Sequence, residues 1–313
     1  MKKYVLGVDI GGTAVKIGLF KMPEELVEVW EIPTRTKEKG KYILSDIAKE
    51  ILSKIEEKGI SKTEVKGIGM GIPGPVSADG EVLKCVNLGW GIFNVEQEME
   101  KLTGFRAKAG NDANVAALGE MWKGGGCGYK DIVMITLGTG VGGGIIIDGH
   151  IISGINGAAG EIGHIPMKDG EKETCGCGKK GCLEQYASAN GIVRITKKYL
   201  MENSNIDSSL RRMKTYTSKE IFEEAAKGDQ AALCMVNEVG SMLGKALSAI
   251  SCAVNPEAFV IGGGMSKAGD ILIDTIKQYY MEYAFHAARN TIFKLAKLSN
   301  NAGIYGAAKL VLE

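Results

Sequence analysis

The sequence predicts an α/β protein made of two similar halves. Strand-like apolar runs alternate along the chain with longer stretches whose apolar residues recur at helical spacing. A strand, a glycine turn that contains a threonine, and a second strand occur around Thr13, and the same three-part unit returns around Thr139. A chain of 313 residues is long enough for two domains with a large buried core. We therefore expect two related domains that face each other across a ligand cleft.

The predicted elements of the first half are, in order, strands at residues 4–8 and 14–20, a helix at 44–55, a strand at 65–70 and a helix from 111 to about 122. The helix at 44–55 carries its apolar residues on one face, with Ser45 as the expected N-cap and Gly59 as the expected stop. The predicted elements of the second half are strands at 132–137 and 144–147, a helix at about 230–253 and a strand at 258–261.

Composition narrows the possible partners and the compartment. A formal net charge of +1 argues against nucleic acid or an anionic membrane surface as the main partner. Seven cysteines, three of them in one short motif, are typical of a reducing compartment. The uncharged run at 132–147 is too rich in glycine for a membrane helix, and Asp9 interrupts the N-terminal apolar run too early for a signal peptide. We expect a cytoplasmic protein.

A dense cluster of metal-binding side chains lies between residues 161 and 184. It reads E-x-x-H, C-x-C and C-x-E, and comprises Glu161, His164, Cys175, Cys177, Cys182 and Glu184. One imidazole and three thiolates are a ligand set that tetrahedral zinc takes, whereas buried free cysteines rarely occur with a histidine at this spacing. Because the protein fills all four positions, we predict a structural zinc ion with two carboxylates at the edges of its site.

The two glycine turns are candidate phosphate sites. They consist of Gly11-Gly12-Thr13 and Gly138-Thr139-Gly140. Successive backbone N–H groups in such turns form concave anion sites, and a threonine hydroxyl adds one more donor. Either turn alone is more simply an ordinary hairpin turn. Asp9 strengthens the phosphate interpretation, because a carboxylate next to phosphates usually holds Mg²⁺, often through water.

Other nucleotide motifs do not fit. No P-loop motif is present, and the two G-x-G-x-x-G matches, which start at Gly69 and Gly138, do not open a helix as a dinucleotide site requires. A third glycine cluster, Gly262-Gly263-Gly264, follows the strand at 258–261. It is either a tight strand-to-helix connection or a close approach of the backbone to a flat ligand such as adenine, with Gly263 as the candidate contact.

Taken together, these motifs resemble those of the ROK family of sugar kinases and sugar-responsive repressors. The matching segments are D-I-G-G-T at 9–13, N-D-A-N at 111–114, L-G-T-G-V-G-G-G at 137–144, E-I-G-H at 161–164 and C-G-C-G-K-K-G-C-L-E at 175–184. The resemblance covers essentially the whole chain. L-G-W at 88–90 and the segment 111–120 are most similar to the bacterial glucokinase branch, while Gly110 stands where a larger residue is more usual.

The resemblance implies an α/β fold of the two-domain actin/hexokinase-like (ribonuclease H-like) type, with ATP and a hexose in the cleft between domains. The smaller α/β domain would comprise residues 1–110 and a C-terminal helix at 301–313, and the larger one, with the zinc knuckle, residues 111–300. The resemblance also implies that Glu161, His164 and Glu184 hold sugar hydroxyls, and it suggests a homodimer.

The chemistry of phosphoryl transfer assigns further roles. A hydroxyl that attacks the γ-phosphate of ATP needs positioning and charge neutralisation more than covalent help. Asp112 is the candidate base, because N–H groups at a helix N-terminus keep a carboxylate ionised. Its simpler role would be a helix N-cap. Asn111 offers a donor and an acceptor to adjacent sugar hydroxyls. His164 would bind zinc through one ring nitrogen and face the sugar with the other.

The predicted activity is ATP-dependent phosphorylation of the 6-hydroxyl of glucose, and three alternatives stay open. The acceptor could be fructose, N-acetylmannosamine or another hexose, and the donor could be polyphosphate. The chain could also be a sugar-sensing regulator without catalysis. Repressors of the family carry a DNA-binding helix-turn-helix ahead of the core, and because the first turn begins by Asp9 we expect none here.

Overall fold

The structure is a computed structural model that describes residues 2–312 and contains two five-stranded sheets. The strands are β1 (Tyr4–Ile10), β2 (Ala14–Lys21), β3 (Glu25–Pro33), β4 (Val65–Ile72), β5 (Glu81–Val82), β6 (Phe93–Asn94), β7 (Ala107–Asn111), β8 (Ile132–Leu137), β9 (Val141–Ile147), β10 (His150–Ile151), β11 (Ala258–Gly262) and β12 (Ile292–Leu295). The helices are α1 (Ile43–Glu57), α2 (Val95–Thr103), α3 (Asp112–Lys123), α4 (Glu184–Ala187), α5 (Ala189–Glu202), α6 (Ser218–Ala226), α7 (Gln230–Val254), α8 (Asp270–Tyr283) and α9 (Ala302–Leu312).

The chain forms two compact units. The first unit comprises residues 2–130 and 298–312 together with Gly144–Gly160, and the second comprises Asp131–Gly143 and Glu161–Lys297. The domain boundaries expected from the sequence, 1–110 with 301–313 and 111–300, stay a prediction.

The sheet of the first unit has the strand order β3-β2-β1-β4-β7. Strands β1, β4 and β7 run parallel, whereas β2 is antiparallel to both β1 and β3. Helix α1 buries Ile47 and Ile51 in the same apolar core as Val8 and Ile68 of the sheet. Because the carboxyl ends of parallel strands lie along one edge, the residues that follow β1, β4 and β7 are brought together there.

Helix α9 approaches this sheet so closely that only glycine fits beneath it. A Cβ atom at Gly69 would lie 1.7 Å from the carbonyl oxygen of Ala307, and one at Gly7 would lie 1.9 Å from that of Ile304. No side chain can be accommodated at such distances. These glycines fix the path of α9, whose first turn therefore reaches the end of β1.

The other sheet has the strand order β10-β9-β8-β11-β12, in which β8, β11 and β12 run parallel. This order matches the first sheet strand for strand, so the repeat expected from the two glycine turns is present in the topology. Three aromatic rings tie β11 and β12 to α8, with ring centroids 5.6, 5.3 and 5.2 Å apart for the pairs Phe259–Tyr280, Phe259–Phe293 and Tyr280–Phe293.

The predicted strands and helices are present, but eleven elements were not predicted, namely β3, β5, β6, β7, β10, β12, α2, α4, α5, α6 and α8. Two details also differ from the expectations. The prediction of Ser45 as an N-cap is wrong, because α1 begins at Ile43 with Tyr42 at the N-cap position, and the Ser45 hydroxyl donates to the carbonyl of Tyr42 at 2.9 Å. Strand β9 begins at Val141 instead of residue 144. The uncharged run at 132–147 forms β8 and β9, and no helix among residues 2–312 is long and apolar enough to cross a membrane.

Candidate functional site

Asp9, Asn111 and Asp112 lie at the carboxyl edge of the first sheet. Asp9 of β1 pairs in register with Gly71 of β4, and the next residue of β4 pairs with Asn111 at the end of β7. Asp112 follows as the first residue of α3. The parallel pairing therefore brings these three predicted site residues to neighbouring strand ends.

The carboxyl group of Asp9 lies in a confined and mostly buried place. Burial, and after it the negative charge of Asp112, raise the pKa of Asp9 to about 6, while Lys16 acts in the opposite direction. A Cβ atom at Gly303 would lie 2.4 Å from Oδ2 of Asp9, so the first turn of α9 leaves no spare room beside the carboxylate. Two carboxylates at one sheet edge provide hard oxygen ligands of the kind that Mg²⁺ prefers.

Asn111, and not Asp112, is the N-cap of α3. The Oδ1 atom of Asn111 accepts hydrogen bonds from the backbone N–H groups of Ala113 at 3.0 Å and Asn114 at 3.2 Å. Oδ1 of Asp112 accepts from the same Ala113 N–H at 2.8 Å and from the Asn111 amide at 3.1 Å. The cap thus occupies the amide oxygen of Asn111 and holds the Asp112 carboxylate against the positive end of the helix.

The first glycine turn is tight and has a support that the sequence did not reveal. The N–H of Gly11 donates to the carbonyl of Ala14 at 3.0 Å across the turn. The hydroxyl of Thr34, just past β3, donates to the Gly11 carbonyl at 2.7 Å, and the Thr34 N–H donates to the Thr13 carbonyl at 2.9 Å. A Cβ atom at Gly12 would meet no heavy atom within 4 Å, so the backbone there is open to a ligand.

The second glycine turn lies against Glu184. The Val141 N–H donates to Oε2 of Glu184 at 2.9 Å, and a Cβ atom at Gly140 would lie only 2.3 Å from that oxygen. The turn closes through a hydrogen bond from the Gly138 N–H to the Gly140 carbonyl at 3.0 Å, and Thr139 is exposed at its tip. The structure therefore brings one predicted phosphate turn and one predicted sugar ligand together.

The four predicted zinc ligands converge. The ligand atoms of His164, Cys175, Cys177 and Cys182 all lie within 4.8 Å of one another. Sγ of Cys177 is 3.6 Å from Sγ of Cys182, and Sγ of Cys175 is 3.8 Å from Nδ1 of His164. Tetrahedral zinc with ordinary Zn–S and Zn–N distances requires ligand separations of about 3.6–3.8 Å. The residues present therefore fit a zinc ion.

The pKa values of two of these thiols are shifted in opposite directions. Burial, and after it hydrogen bonding with Cys177 and Cys175, raise the pKa of the Cys182 thiol to about 12, whereas a backbone hydrogen bond at Lys179 lowers the pKa of the Cys177 thiol. Zinc binding would displace the protons of the thiols that it ligates.

The histidine presents its two nitrogens to different partners. Nδ1 faces the thiol of Cys175, whereas Nε2 lies 4.0 Å from Oε2 of Glu161. Oε1 of Glu184 lies 3.8 Å from the same Cys175 thiol, while its Oε2 binds the Val141 N–H. The metal cluster and the two predicted sugar-binding carboxylates thus form one connected group.

Gly263 directly precedes Gly264 and Met265, which line a cavity of about 320 Å³ in the second unit. Its φ of +85° and a Cβ position only 2.5 Å from the Leu137 carbonyl oxygen both require glycine. Beyond it, the cavity is lined mainly by apolar residues, among them Phe222, Ala226, Gly264, Met265, Ala268 and Ile271. Its size is within the range of small-molecule sites.

Several residues of these sites could not be found from the sequence. Thr34 contacts Gly11, Gly303 contacts Asp9, and Phe222 lines the same cavity as Gly264. The two residues of each pair lie far apart in the sequence. The only local signal was the pair of glycines at positions 303 and 306 within a helical pattern, which often marks close helix packing.

Comparisons with known proteins identify the family. The family model described as "ROK family" matches residues 5–313. The glucokinase of Halalkalibacterium halodurans is 42% identical, over 99% of this chain and 96% of that protein. A ROK family glucokinase from Streptomyces griseus, solved in complex with glucose and AMPPNP, has a TM-score of 0.73 and 31% identity over 98% of each chain.

A regulator has the same core. A ROK family transcriptional regulator, described as a homologue of the E. coli MLC protein, has a TM-score of 0.86 and 26% identity over 99% of this chain and 78% of its own. These likenesses also support the actin/hexokinase-like fold expected from the motifs. The chain belongs to the ROK family.

Proposed function

We propose that this chain is a hexose kinase that transfers the γ-phosphoryl group of ATP to the 6-hydroxyl of glucose. The observation that carries the proposal is the placement of the Asp9 and Asp112 carboxylates at one sheet edge in a chain 42% identical to a glucokinase over nearly its whole length. A phosphoryl transfer needs one carboxylate for the metal and another for the proton, and this edge provides both.

Asp112 would accept the proton from the sugar. The oxygen of the 6-hydroxyl forms a bond to the γ-phosphorus while the bond between that phosphorus and the oxygen bridging to ADP breaks. The hydroxyl proton passes to the Asp112 carboxylate. Two N–H donors, from Ala113 and from the Asn111 side chain, hold Oδ1 of Asp112 and keep the carboxylate oriented.

The sugar would be held by Asn111 and Asp112 together with Glu161, His164 and Glu184. Carboxylates and an imidazole can each accept or donate hydrogen bonds to adjacent hydroxyls, which is the pattern that recognises a hexose. The amide oxygen of Asn111 already caps α3, and its Nδ2 atom donates to Oδ1 of Asp112 at 3.1 Å and to the Gly74 carbonyl at 3.3 Å. A contact between Asn111 and the sugar would therefore replace one of these hydrogen bonds.

The donor would be ATP with Mg²⁺. The N–H groups of the two glycine turns, Gly11-Gly12-Thr13 and Gly138-Thr139-Gly140, would bind phosphate oxygens, and Asp9 would hold the metal ion through water. Mg²⁺, when bound, neutralises charge on the phosphates. The cavity beside Gly263 supports a nucleotide as the donor, because its apolar walls can cover the faces of a flat base.

Zinc would be a structural ion bound by His164, Cys175, Cys177 and Cys182. When bound, it fixes the ring of His164 and the position of the neighbouring Glu184, whose Oε1 lies 3.8 Å from the Cys175 thiol. Its contribution to the reaction is therefore the placement of sugar-binding groups.

The test is a coupled ADP-release assay with ATP and Mg²⁺ on a panel of glucose, mannose, fructose, N-acetylglucosamine and N-acetylmannosamine. Asp112→Asn keeps the size of the side chain and removes the base, so kcat should fall about 10²–10⁴-fold, the usual contribution of a general base. Glucose binding, measured by titration calorimetry, should persist. Asp229→Asn is the matched control, because Asp229 also accepts a backbone N–H at the start of a helix, α7, outside the proposed site.

The outcomes separate the alternatives. Turnover on glucose that Asp112→Asn abolishes and Asp229→Asn leaves intact supports the proposal. A preference for another hexose would leave the mechanism unchanged and identify a different substrate. Assays with polyphosphate in place of ATP test whether polyphosphate can be the phosphoryl donor. Sugar binding without turnover on any sugar would refute the kinase and leave a sugar sensor. Light scattering on the same sample tests the expected homodimer.

A further inference from the structure

A cluster of polar side chains outside the metal ligands binds both ends of the cysteine loop. We call it the Arg194 cluster, and it comprises Glu171, Glu173, Gln185, Tyr186 and Arg194. Glu171 and Glu173 precede the loop of residues 175–182, and the other three follow it, on α4 and α5. None of these five residues has a role in the phosphoryl transfer described above.

Arg194 of α5 lies at the centre of this cluster. Its Nε and Nη2 atoms donate to the carbonyl oxygen of Gln185 at 3.3 and 3.0 Å. Its Nη1 donates to Glu173 at 3.0 Å, and Nη2 also donates to Glu171 at 3.2 Å. The side chain is only 23% exposed, so these bonds are screened far less than those of a surface ion pair. One planar guanidinium thus joins three points of the chain, a geometry that an ammonium group cannot reproduce.

Glu171 is the buried acceptor of the cluster. Oε2 accepts the Tyr186 hydroxyl at 2.5 Å, and Oε1 accepts the N–H groups of residues 172 and 173 at 2.8 and 3.1 Å. The side chain is 9% exposed. The Tyr186 hydrogen bond is the main reason that the pKa of Glu171 falls to about 2, so this carboxylate stays ionised at any working pH.

Gln185 connects the cluster directly to a metal ligand. Its Oε1 accepts the backbone N–H of Cys182 at 3.1 Å, and its Nε2 donates to the Glu173 carbonyl at 3.0 Å. The chain two residues before Cys175 is therefore tied to the chain three residues after Cys182. The same helical turn begins with Glu184, so the cluster also fixes the backbone that carries a predicted sugar ligand.

We propose that Arg194, with Tyr186 and Glu171, forms a positioning network that holds the cysteine loop in its zinc-binding conformation and slows release of the ion. This inference rests on the zinc site proposed above. A short loop with several glycines loses conformational entropy when it binds a metal. Hydrogen bonds that hold the two ends of the loop together reduce this entropy loss, because they restrict the loop before the metal binds. Weakening the network should therefore weaken zinc retention while all four ligands remain.

The experiment measures zinc release from the purified full chain into a chromogenic chelator, after the zinc content of the wild type has been measured by mass spectrometry. Arg194→Lys keeps the charge and removes the fork, and Tyr186→Phe removes only the hydroxyl that binds Glu171. Residues that support metal ligands usually change affinity 10–100-fold when they are replaced. We expect about tenfold faster release or more for Arg194→Lys, and a smaller acceleration for Tyr186→Phe.

Two matched controls separate this effect from general destabilisation. Arg211 also joins three points of the chain, because it donates to the backbone carbonyls of Leu200, Asn203 and Ile206, away from the cysteine loop. Tyr280 is a buried tyrosine whose hydroxyl donates to the Ala288 carbonyl at 2.7 Å. Arg211→Lys and Tyr280→Phe should release zinc at the wild-type rate. Cobalt-substituted protein gives a second readout, since Arg194→Lys should shift the visible absorption bands and Arg211→Lys should not.

Faster zinc release from both Arg194→Lys and Tyr186→Phe, with both controls unchanged, supports the inference. Release at the wild-type rate from Arg194→Lys and Tyr186→Phe, or equal acceleration in the controls, would overturn it. If Arg194→Lys fails to fold, Tyr186→Phe decides alone. A wild type without bound zinc would remove the zinc site and this inference with it, while the ADP-release assay would still judge the kinase independently.

Discussion

Replacement of Gly303 by alanine tests whether the exact position of Asp9 matters to the proposed reaction. Gly303 is the second residue of α9, and an added Cβ atom would lie 2.4 Å from Oδ2, 2.5 Å from Cγ and 3.0 Å from Cβ of Asp9. Non-bonded carbon atoms prefer separations of about 3.5–4.0 Å. The Asp9 carboxyl group must therefore move by about 1 Å, because the helix beneath it is fixed by the glycine contacts at Gly7 and Gly69.

The cost to stability should be small beside the cost to activity. Alanine in place of glycine favours the helix by up to about 1 kcal/mol, and overpacking a tight contact costs about 1–3 kcal/mol. The net destabilisation is then about 0–2 kcal/mol. A displacement of about 1 Å at a catalytic group can lower the rate about 10²-fold. We expect kcat to fall by about that factor, and the Mg²⁺ concentration for half-maximal rate to rise.

The assay is initial-rate kinetics at saturating hexose and ATP over a range of Mg²⁺ concentrations, with thermal melts of the same samples. Gly240→Ala is the matched control, because its Cβ atom would lie 2.3 Å from the Thr275 side chain in a helix contact that involves no proposed site residue. Equal losses of kcat in the two variants, or an unchanged Mg²⁺ requirement in Gly303→Ala, would refute this account of Gly303.

Two further predictions concern the carboxylate and the metal. Since the pKa of Asp9 is raised to about 6 from 3.8, the stability that this group contributes is present below about pH 4 and is lost as the pH rises through 6. Relative to wild type, Asp9→Asn should therefore gain stability as the pH rises from about 4 to 6, and the gain should reach at most about 3 kcal/mol above pH 6 in metal-free protein. A stability difference between the two proteins that does not change with pH, measured by chemical denaturation, would contradict this. Cys177→Ser should lose both zinc and sugar binding, which metal analysis and calorimetry would measure. Normal sugar affinity in the zinc-free variant would show that zinc does not position the sugar-binding groups.

The sequence predicted best those features that depend on residues close together in the chain. The zinc ligands fall within nineteen residues (164–182), so their spacing alone indicates the ligand set, and the structure brings them together. Strands β1, β4 and β8 are short and mostly buried, and such strands appear in the sequence as continuous apolar runs. Each run was therefore predicted as a strand. The glycine turns that follow β1 and β8 were also predicted, because the residues of each turn are consecutive in the sequence.

Features that depend on distant contacts were missed. Strand β3 alternates exposed and half-buried residues as an edge strand does, but Glu25, Glu28 and Glu31 recur every third residue, so its sequence does not show the strand period of two. The cap of α3 went to Asn111 instead of Asp112, because either residue can cap and the choice depends on where β7 ends. The crowding of Asp9 by Gly303 joins residues almost three hundred positions apart, and no local pattern records it.

The two sheets have the same strand order but differ in chemistry at one corresponding position. Asp9 of β1 pairs in parallel with Gly71, and Thr136 of β8 pairs in the same way with Gly262. Each residue stands two positions before the first glycine of its turn. In the proposed donor site Asp9 would hold a metal ion through water, whereas a neutral threonine leaves the N–H groups of the second turn free to attract an anion. The repeat therefore gives its two turns different chemistry, since the first carries a group that suits a cation and the second carries none.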